Sequence, residues 1–317
     1  MTSKDTVIIY GDPHLSSKSY GSHKDYPRES LEYFQKITKL AEDIGATYII
    51  GTGDLTYGKF HTLEYRRSVE KELLRQNEIT NGNVYSLKGN HDSATNGMTE
   101  YEFYVEKGLL KHAEKLDVQT IHFTLADYGR LLQVKPNVNP DEINVLVSHD
   151  YLKFKDTQLP NFGTAIELDR LSQFFDIDYI ICGHIHKTMA FKGLIIRENE
   201  ASETLVFYPG CMARPAYSNN LDLVGSVAVL TVEGDRVTYD KKEIPLWAIE
   251  DSFVMEEIEE RQEKREEKAS RVDISDVVKQ LDARDNNFGN PEDRIMSMYG
   301  VDERYKLKAI QLLQEES

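Results

Sequence analysis

Residues 7–15 read Val7-Ile8-Ile9-Tyr10-Gly11-Asp12-Pro13-His14-Leu15. Four β-branched or aromatic residues in a row suit a short buried strand, and a glycine, a carboxylate, a proline and an imidazole follow at once. The same phrase recurs along the chain. The apolar run 48–50 leads to Gly53-Asp54, and the run 84–87 to Gly89-Asn90-His91-Asp92. The run 145–147 leads to Ser148-His149-Asp150, and the run 179–182 to Gly183-His184-Ile185-His186. A further run, 205–208, ends in Pro209-Gly210-Cys211. Between several of these lie helical spacings. Leu31, Phe34, Ile37, Leu40, Ala41 and Ile44 repeat at steps of three and four until Gly45 stops them, and residues 63–79 and 165–175 predict two more helices. Strands alternating with helices make a layered α/β fold. Residues 226–232 and 237–239, on either side of Gly234-Asp235, read as a β-hairpin.

In open α/β sheets the working groups collect beyond the carboxyl ends of the strands, so the five polar loops should meet. One Asp-x-His or Gly-Asp arises often by chance; five ligand-bearing loops in series do not. Mixed imidazole, carboxylate and amide donors suit manganese, iron or zinc, whereas magnesium favours oxygen alone. Two such cations roughly 3.5–4 Å apart can activate a hydroxide and grip phosphate oxygens. Asp54, central in the order, is the carboxylate expected to be shared between them. The glycines beside Asp54, Asn90 and His184 would let the backbone turn tightly against the site.

The 317 residues carry a formal charge of −16 and are 40% hydrophobic, enough for a sizeable core. That charge argues against a surface that grips nucleic acid all over, although a local groove remains compatible with it. The two cysteines, Cys182 and Cys211, sit in apolar surroundings and read as reduced, buried thiols. Residues 1–5 lack a signal-peptide pattern and no stretch reaches the roughly 20 apolar residues of a membrane span, so a soluble, cytoplasmic protein is expected. Composition changes after Trp247. Residues 250–317 hold 19 acidic and 11 basic side chains, a net of −8 and half of the chain's excess. Residues 256–268 are almost wholly charged, and Ile295, Met298, Tyr299, Leu307, Ile310 and Leu313 are apolar anchors for short amphipathic helices. The expected division is therefore a domain over 1–247 and a charged helical tail over 248–317.

The blocks Asp12-Pro13-His14-Leu15, Gly53-Asp54, Gly89-Asn90-His91-Asp92, Ser148-His149-Asp150 and Gly183-His184-Ile185-His186 resemble those of the calcineurin-like metallophosphoesterases. The resemblance implies a four-layer αββα sandwich, here with a short helical charged C-terminal extension. It implies one divalent ion on Asp12, His14, Asp54 and His186, and a second on Asp54, Asn90, His149 and His184. It makes His91, oriented by Asp92, the acid that faces the phosphate; a histidine beside a carboxylate can hold a proton near neutral pH. Protein phosphatases of this type place arginines after the Gly-Asp and Asn-His blocks, and Leu55-Thr56-Tyr57-Gly58-Lys59 and Ser93-Ala94-Thr95 contain none. The Asp-x-His-Leu opening, Tyr208-Pro209-Gly210 and the hairpin over 225–246 look more like the SbcD-type repair nucleases, phage recombination endonucleases included. That likeness implies a manganese-dependent DNA exo- or endonuclease working with an SbcC-like coiled-coil ATPase, docked through the tail. A homodimer is compatible with it, and for a phage-encoded chain the compartment would be the host cytoplasm. A small-molecule phosphodiesterase or phosphatase would use the same ions, and a scaffold with a vestigial site is a third reading.

Three features depart from those nucleases: Tyr57 stands where some carry histidine, no full-length capping domain follows Trp247, and the tail is acidic. His61 reads as a surface residue at a helix start. Lys18, His23, Lys24 and Arg28 are candidates to face a phosphate backbone or simply to be solvated. Tyr20, Tyr26 and Tyr57 are base-stacking or packing residues, and Arg214 and Tyr217 are site-lining or packing residues. His112 and His122 lie in no motif and read as structural.

Overall fold

The structure is a computed structural model that describes residues 3–57, 61–93, 97–155, 157, 165–198, 200–214, 217, 224–234 and 236–270. Its elements, in chain order, are β1 (Lys4–Tyr10), α1 (Tyr26–Ile44), β2 (Tyr48–Gly51), α2 (Leu63–Thr80), β3 (Val84–Ser86) and α3 (Glu100–Glu106). There follow β4 (Lys115–Val118), β5 (Ile121–Ala126), β6 (Ile143–Ser148), β7 (Leu152–Lys153), β8 (Ile166–Glu167) and β9 (Tyr179–Cys182). β10 (Met189–Arg197), β11 (Glu200–Tyr208), β12 (Val224–Glu233), β13 (Arg236–Pro245), α4 (Ile249–Ser252) and α5 (Met255–Ser270) complete the set. Met1–Val254 form one compact unit and Met255–Ser317 another, in which α5 is the described part. The apolar anchors of the tail and its expected docking role lie outside the described residues. No helix among the described residues is long and apolar enough to cross a membrane.

Two sheets make the frame of the first unit, a five-stranded one in the order β13-β12-β1-β2-β3 and a six-stranded one in the order β10-β11-β9-β6-β5-β4. β1, β2 and β3 run parallel, as do β5, β6, β9 and β11, so their carboxyl ends point the same way within each sheet. Alternation along each strand separates the cores. Val7 and Ile9 of β1 join Ile50, Val145, Val147, Ile181, Phe207, Ala228 and Leu230 between the sheets. Ile8 and Tyr10 face the other way, onto Phe34 and Ile37 of α1 and Val69 and Leu73 of α2. Behind the second sheet, Leu146, Ile180 and Val206 pack on Leu168, Phe174 and Ile177. The result is the expected α/β sandwich of four layers.

α1 and α2 form where the spacing places them. α1 buries Tyr26, Ser30, Tyr33, Phe34, Ile37 and Ala41, one stripe of a 3.6-residue period. Asp25 caps its start by accepting from the Arg28 amide, and Gly45 ends it in the left-handed region at φ 64°. The helix expected over 165–175 is replaced by β8 and two 3₁₀ turns, Leu168–Arg170 and Ser172–Phe174. The reason is in the spacing: Leu168, Leu171, Phe174 and Ile177 recur at steps of three, the period of a 3₁₀ turn.

Candidate metal centre

β1 carries Asp12 and His14 just past its end, β2 carries Asp54, β3 carries Asn90 and His91, β6 carries His149, and β9 carries His184 and His186. The loops after β1 and β2 continue the pairing of their strands. The His14 amide donates to the Asp54 carbonyl (3.0 Å) and the Leu15 amide to the Leu55 carbonyl (2.9 Å). His14, Asp54 and His184 all adopt positive φ, at 46°, 48° and 75°. L-residues visit that region at a cost, and such strain collects at functional sites.

The glycines are as necessary as the candidate ligands. A Cβ on Gly89 would lie 2.1 Å from Asp54 Oδ1, and one on Gly183 would lie 2.4 Å from Asp12 Oδ1. On Gly53, which sits at φ 113°, it would meet His149 Nδ1 at 2.6 Å. Close approach of backbone to ligand explains all three.

Asp54 lies between two sets of donors. Its Oδ2 is 3.8 Å from His14 Nε2 on one side and 3.2 Å from His149 Nε2 on the other. On the first side, His14 Nε2 and His186 Nε2 are 3.0 Å apart, and His186 Nε2 is 3.8 Å from Asp12 Oδ2. On the second, Asn90 Oδ1 is 3.1 Å from both His149 Nε2 and His184 Nδ1. All seven expected ligands are therefore brought together, with Asp54 central.

Outer contacts fix their orientation. His149 Nδ1–H donates to the Thr52 carbonyl (2.9 Å), which turns Nε2 toward Asp54 and Asn90. Asp12 accepts from Thr52 Oγ1 (3.2 Å) and from the His184 amide (2.8 Å).

Burial sets the electrostatics. Asp12 is pushed up to about 7, chiefly by burial and further by the Asp54 charge, with His149 opposing. Burial also favours the neutral form of His149, but Asp12 and Asp54 outweigh it and raise the ring to about 9. Asp54 goes the other way: burial acts against ionisation, yet His149, His14 and His91 hold its carboxyl below the ordinary range. Burial and the neighbouring imidazoles keep His14 well below its usual value and bring His186 down to about 4. His184 is lowered too, mainly by burial. Among the candidate imidazoles, His149 is the one whose protonated form is favoured, squeezed between two carboxylates. Divalent cations are the groups this donor set fits: they supply charge that the neutral imidazoles cannot, and each imidazole offers a lone pair.

His91 is exposed at the mouth, its ring 5.2 Å from that of His14 and its amide donating to Asp54 Oδ1 (2.8 Å). Asp92 departs from expectation. It is fully buried, and its oxygens accept from the amides of Leu55 (3.2 Å), Thr56 (3.0 Å) and Gly89 (3.0 Å) and from Thr56 Oγ1 (3.2 Å). Those bonds tie the β3 loop to the Asp54 loop, so Asp92 holds backbone rather than orienting the His91 ring.

Other expectations change as well. His61 is buried rather than on the surface, edge-on to Tyr65 at 5.3 Å, because the turn before α2 folds inward onto Glu100. His23 and Arg214 neither line the site nor meet solvent. Both pair with the buried Glu29, at 2.6 and 3.1 Å, and Arg214 also donates to Ser252 Oγ and the Trp247 carbonyl. Arg28 lies over the Trp247 ring, and Lys24 donates to the Glu250 carbonyl. Tyr26 is a core residue whose hydroxyl donates to the His14 carbonyl (2.8 Å). Tyr217 packs edge-on against Phe253.

Tyr57 does reach the centre, its ring 4.7 Å from His91 and 5.4 Å from His14. Tyr128, which carries no motif, stands on the opposite side, 47% exposed and 5.6 Å from the His184 ring. It lies just past the end of β5, a strand that the apolar runs did not mark, so the strand-end rule had nothing to act on.

The sequence profile of the calcineurin-like phosphoesterases matches residues 6–188. Among solved structures, the chain is similar to a dimetal phosphatase from Danio rerio at 11% identity and a TM-score of 0.44, over 77% of this chain and 99% of that one. No curated protein matches the sequence.

Proposed function

Because the chain belongs to the calcineurin-like phosphoesterases, metal-dependent hydrolases of phosphate esters, we propose that it is a two-metal phosphodiesterase acting on DNA, the nuclease subunit of an SbcCD-like complex. The observation that carries the two-metal part is Asp54, one carboxylate set between the His14–His186 pair and the His149–Asn90–His184 group. The first ion would be held by Asp12, His14, Asp54 and His186, the second by Asp54, Asn90, His149 and His184, with manganese the activating metal. When bound, the ions supply an activated hydroxide and neutralise the phosphate oxygens. The chain's own residues do the rest. His91, exposed and beside His14, protonates the leaving oxygen. Asp92 keeps the Asp54 and Asn90 loops in register. Tyr57 and Tyr128 stand on opposite sides of the mouth as flat faces on which bases can stack.

The diester preference follows from charge. A phosphomonoester dianion calls for a cationic clamp besides the ions, and of the two arginines weighed for it, Arg214 is buried against Glu29 and Arg28 lies over the Trp247 ring. A diester carries a single negative charge and needs no such clamp.

The test compares turnover of bis-p-nitrophenyl phosphate, p-nitrophenyl phosphate and linear DNA across manganese concentrations, with and without the coiled-coil ATPase. Diester and DNA cleavage above monoester cleavage is the expected result. Strong monoesterase activity with intact DNA throughout would replace this reading with a small-molecule phosphatase. The partner is tested apart: removing residues from about 291 onward should weaken co-purification with the ATPase and spare cleavage of the small diester.

A further inference from the structure

Cys211 lies beside the first ion position. It is free and wholly buried. Its Sγ, a ring nitrogen of His14 and a ring nitrogen of His186 all lie within 4.8 Å of one another. The backbone fixes this. The Cys211 amide donates to the His186 carbonyl and the Met212 amide to the Asp12 carbonyl, both at 3.1 Å, so the loop after β11 is clamped between the loops that carry the ligands. Gly210 turns at φ 83°, and Gly11 comes so near that a Cβ there would lie 2.0 Å from the Gly210 carbonyl oxygen.

The sulfur has one competing explanation, a small buried side chain whose S–H donates to the Ala213 carbonyl. That accounts for the thiol proton but not for the place of the sulfur beside the two imidazoles. His14 is fully buried, yet among the described residues its Nδ1 has no hydrogen-bond partner, and its Nε2 meets the facing nitrogen of His186 and the edge of Asp54. Buried polar atoms are rarely left so. Two imidazoles with a sulfur in reach of both form a donor set that suits a cation.

We propose that Cys211 is a ligand at the first ion position, and that this position therefore takes a thiophilic divalent cation, of the zinc or cobalt class, in preference to manganese. The proposal rests on the two-metal reading and refines it: manganese serves the second position, whose donors are nitrogen and oxygen. Thiolate ligation selects soft over hard cations. Binding replaces the S–H proton, which leaves to solvent, and the sulfur lone pair makes the new bond.

The experiment titrates the metal-stripped full-length protein with cobalt(II). The visible d–d bands report occupancy by nitrogen and oxygen ligands, and a near-ultraviolet sulfur-to-cobalt band reports Cys211. Wild type and Cys182→Ser should show both. Cys211→Ser should keep the d–d bands, lose the near-ultraviolet band, and bind zinc about 10- to 100-fold more weakly, the usual effect of altering a metal site's surroundings. Cadmium-113 NMR of the wild type needs no variant: one resonance should shift to the sulfur-ligated range while the other stays in the nitrogen–oxygen range. Bound cobalt with no sulfur band, a band that survives in Cys211→Ser, or two cadmium signals in the nitrogen–oxygen range would overturn the assignment and leave the two-metal centre standing. A protein that retains no cobalt or cadmium at all would overturn both.

Discussion

Substituting Gly89 by alanine tests the centre without removing any ligand. The added Cβ would fall 2.1 Å from Asp54 Oδ1, 2.7 Å from its Cγ and 2.3 Å from its backbone nitrogen. Ordinary carbon contacts begin at about 3.4 Å, so Asp54 or the β3 loop must retreat by about 1.3 Å. A side-chain rotation cannot do this alone, because the backbone nitrogen is in the way. Nor can the loop move freely, since Asp92 bonds Gly89 to Leu55 and Thr56. Forcing a group into such a site costs about 1–3 kcal/mol of stability, which leaves the fold intact. Function should suffer more. A misplacement of about 1 Å at a reacting centre lowers turnover by about 100-fold, and because Asp54 faces both sets of donors, affinity for both ions should fall together. Calorimetric metal titration, diester turnover and urea unfolding, run side by side, separate these effects. If Gly89→Ala bound two ions as tightly as wild type and turned over within a few-fold of it, Asp54 would not be the shared ligand.

Four further outcomes are expected. His91→Gln should bind both ions yet lose about 100- to 10,000-fold in turnover, the range for a general acid; near-normal cleavage of a small diester would remove His91 from that role. Arg214→Met should lower the unfolding free energy by about 1–3 kcal/mol, because it removes one of the buried partners of the Glu29 carboxylate and leaves His23 and Tyr33, and a urea midpoint close to wild type would contradict this. Glu29 itself carries a pH signature. Burial works against its ionisation, but His23 and Arg214 outweigh that and hold its pKa below the ordinary 4.5. Its stabilisation is thus complete above the unfolded value and fades as pH falls through the lower folded one; the stability gap between wild type and Glu29→Gln should be constant near neutrality and shrink in acid, and a gap that widened in acid would reverse the sign. Tyr128→Ala should raise KM for oligonucleotides by about 5- to 100-fold, the loss of one stacked base, and leave bis-p-nitrophenyl phosphate little changed; equal effects on both would make Tyr128 a packing residue.

Much of this architecture can be read from residue order because strands and ligands alternate. The runs at 7–10, 48–50 and 179–182 lie within β1, β2 and β9, and the strand-end rule then brings seven candidate ligand side chains to one place. α1 was equally legible, since its apolar stripe and Gly45 are both explicit. α3 does not stand out in the sequence although Thr99 and Glu102 form a capping box, because seven residues are too few for a periodic stripe. β4 and β10 were missed because an edge strand can leave many side chains in water, and alternation there is weak. His23, Glu29 and Arg214 show the harder limit. Nothing in the sequence links them, and only the fold makes them one buried cluster. The left-handed backbone at His14, Asp54 and His184 is likewise invisible beforehand, since none of these residue types demands it.

The distribution of the ligands between the two sheets has a mechanical consequence. Asp12, His14, Asp54 and Asn90 hang from the five-stranded sheet, whereas His149, His184 and His186 hang from the six-stranded one. Each proposed ion therefore takes ligands from both, and works as a bolt through the open end of a sandwich otherwise closed by apolar contact. Withdrawing the ions removes those cross-sheet ties at that end and leaves the apolar layer between the sheets to hold it. The sheets should then part there first, so amide exchange in metal-free protein should quicken at the carboxyl ends of β1, β2, β6 and β9 and hardly change at their amino ends.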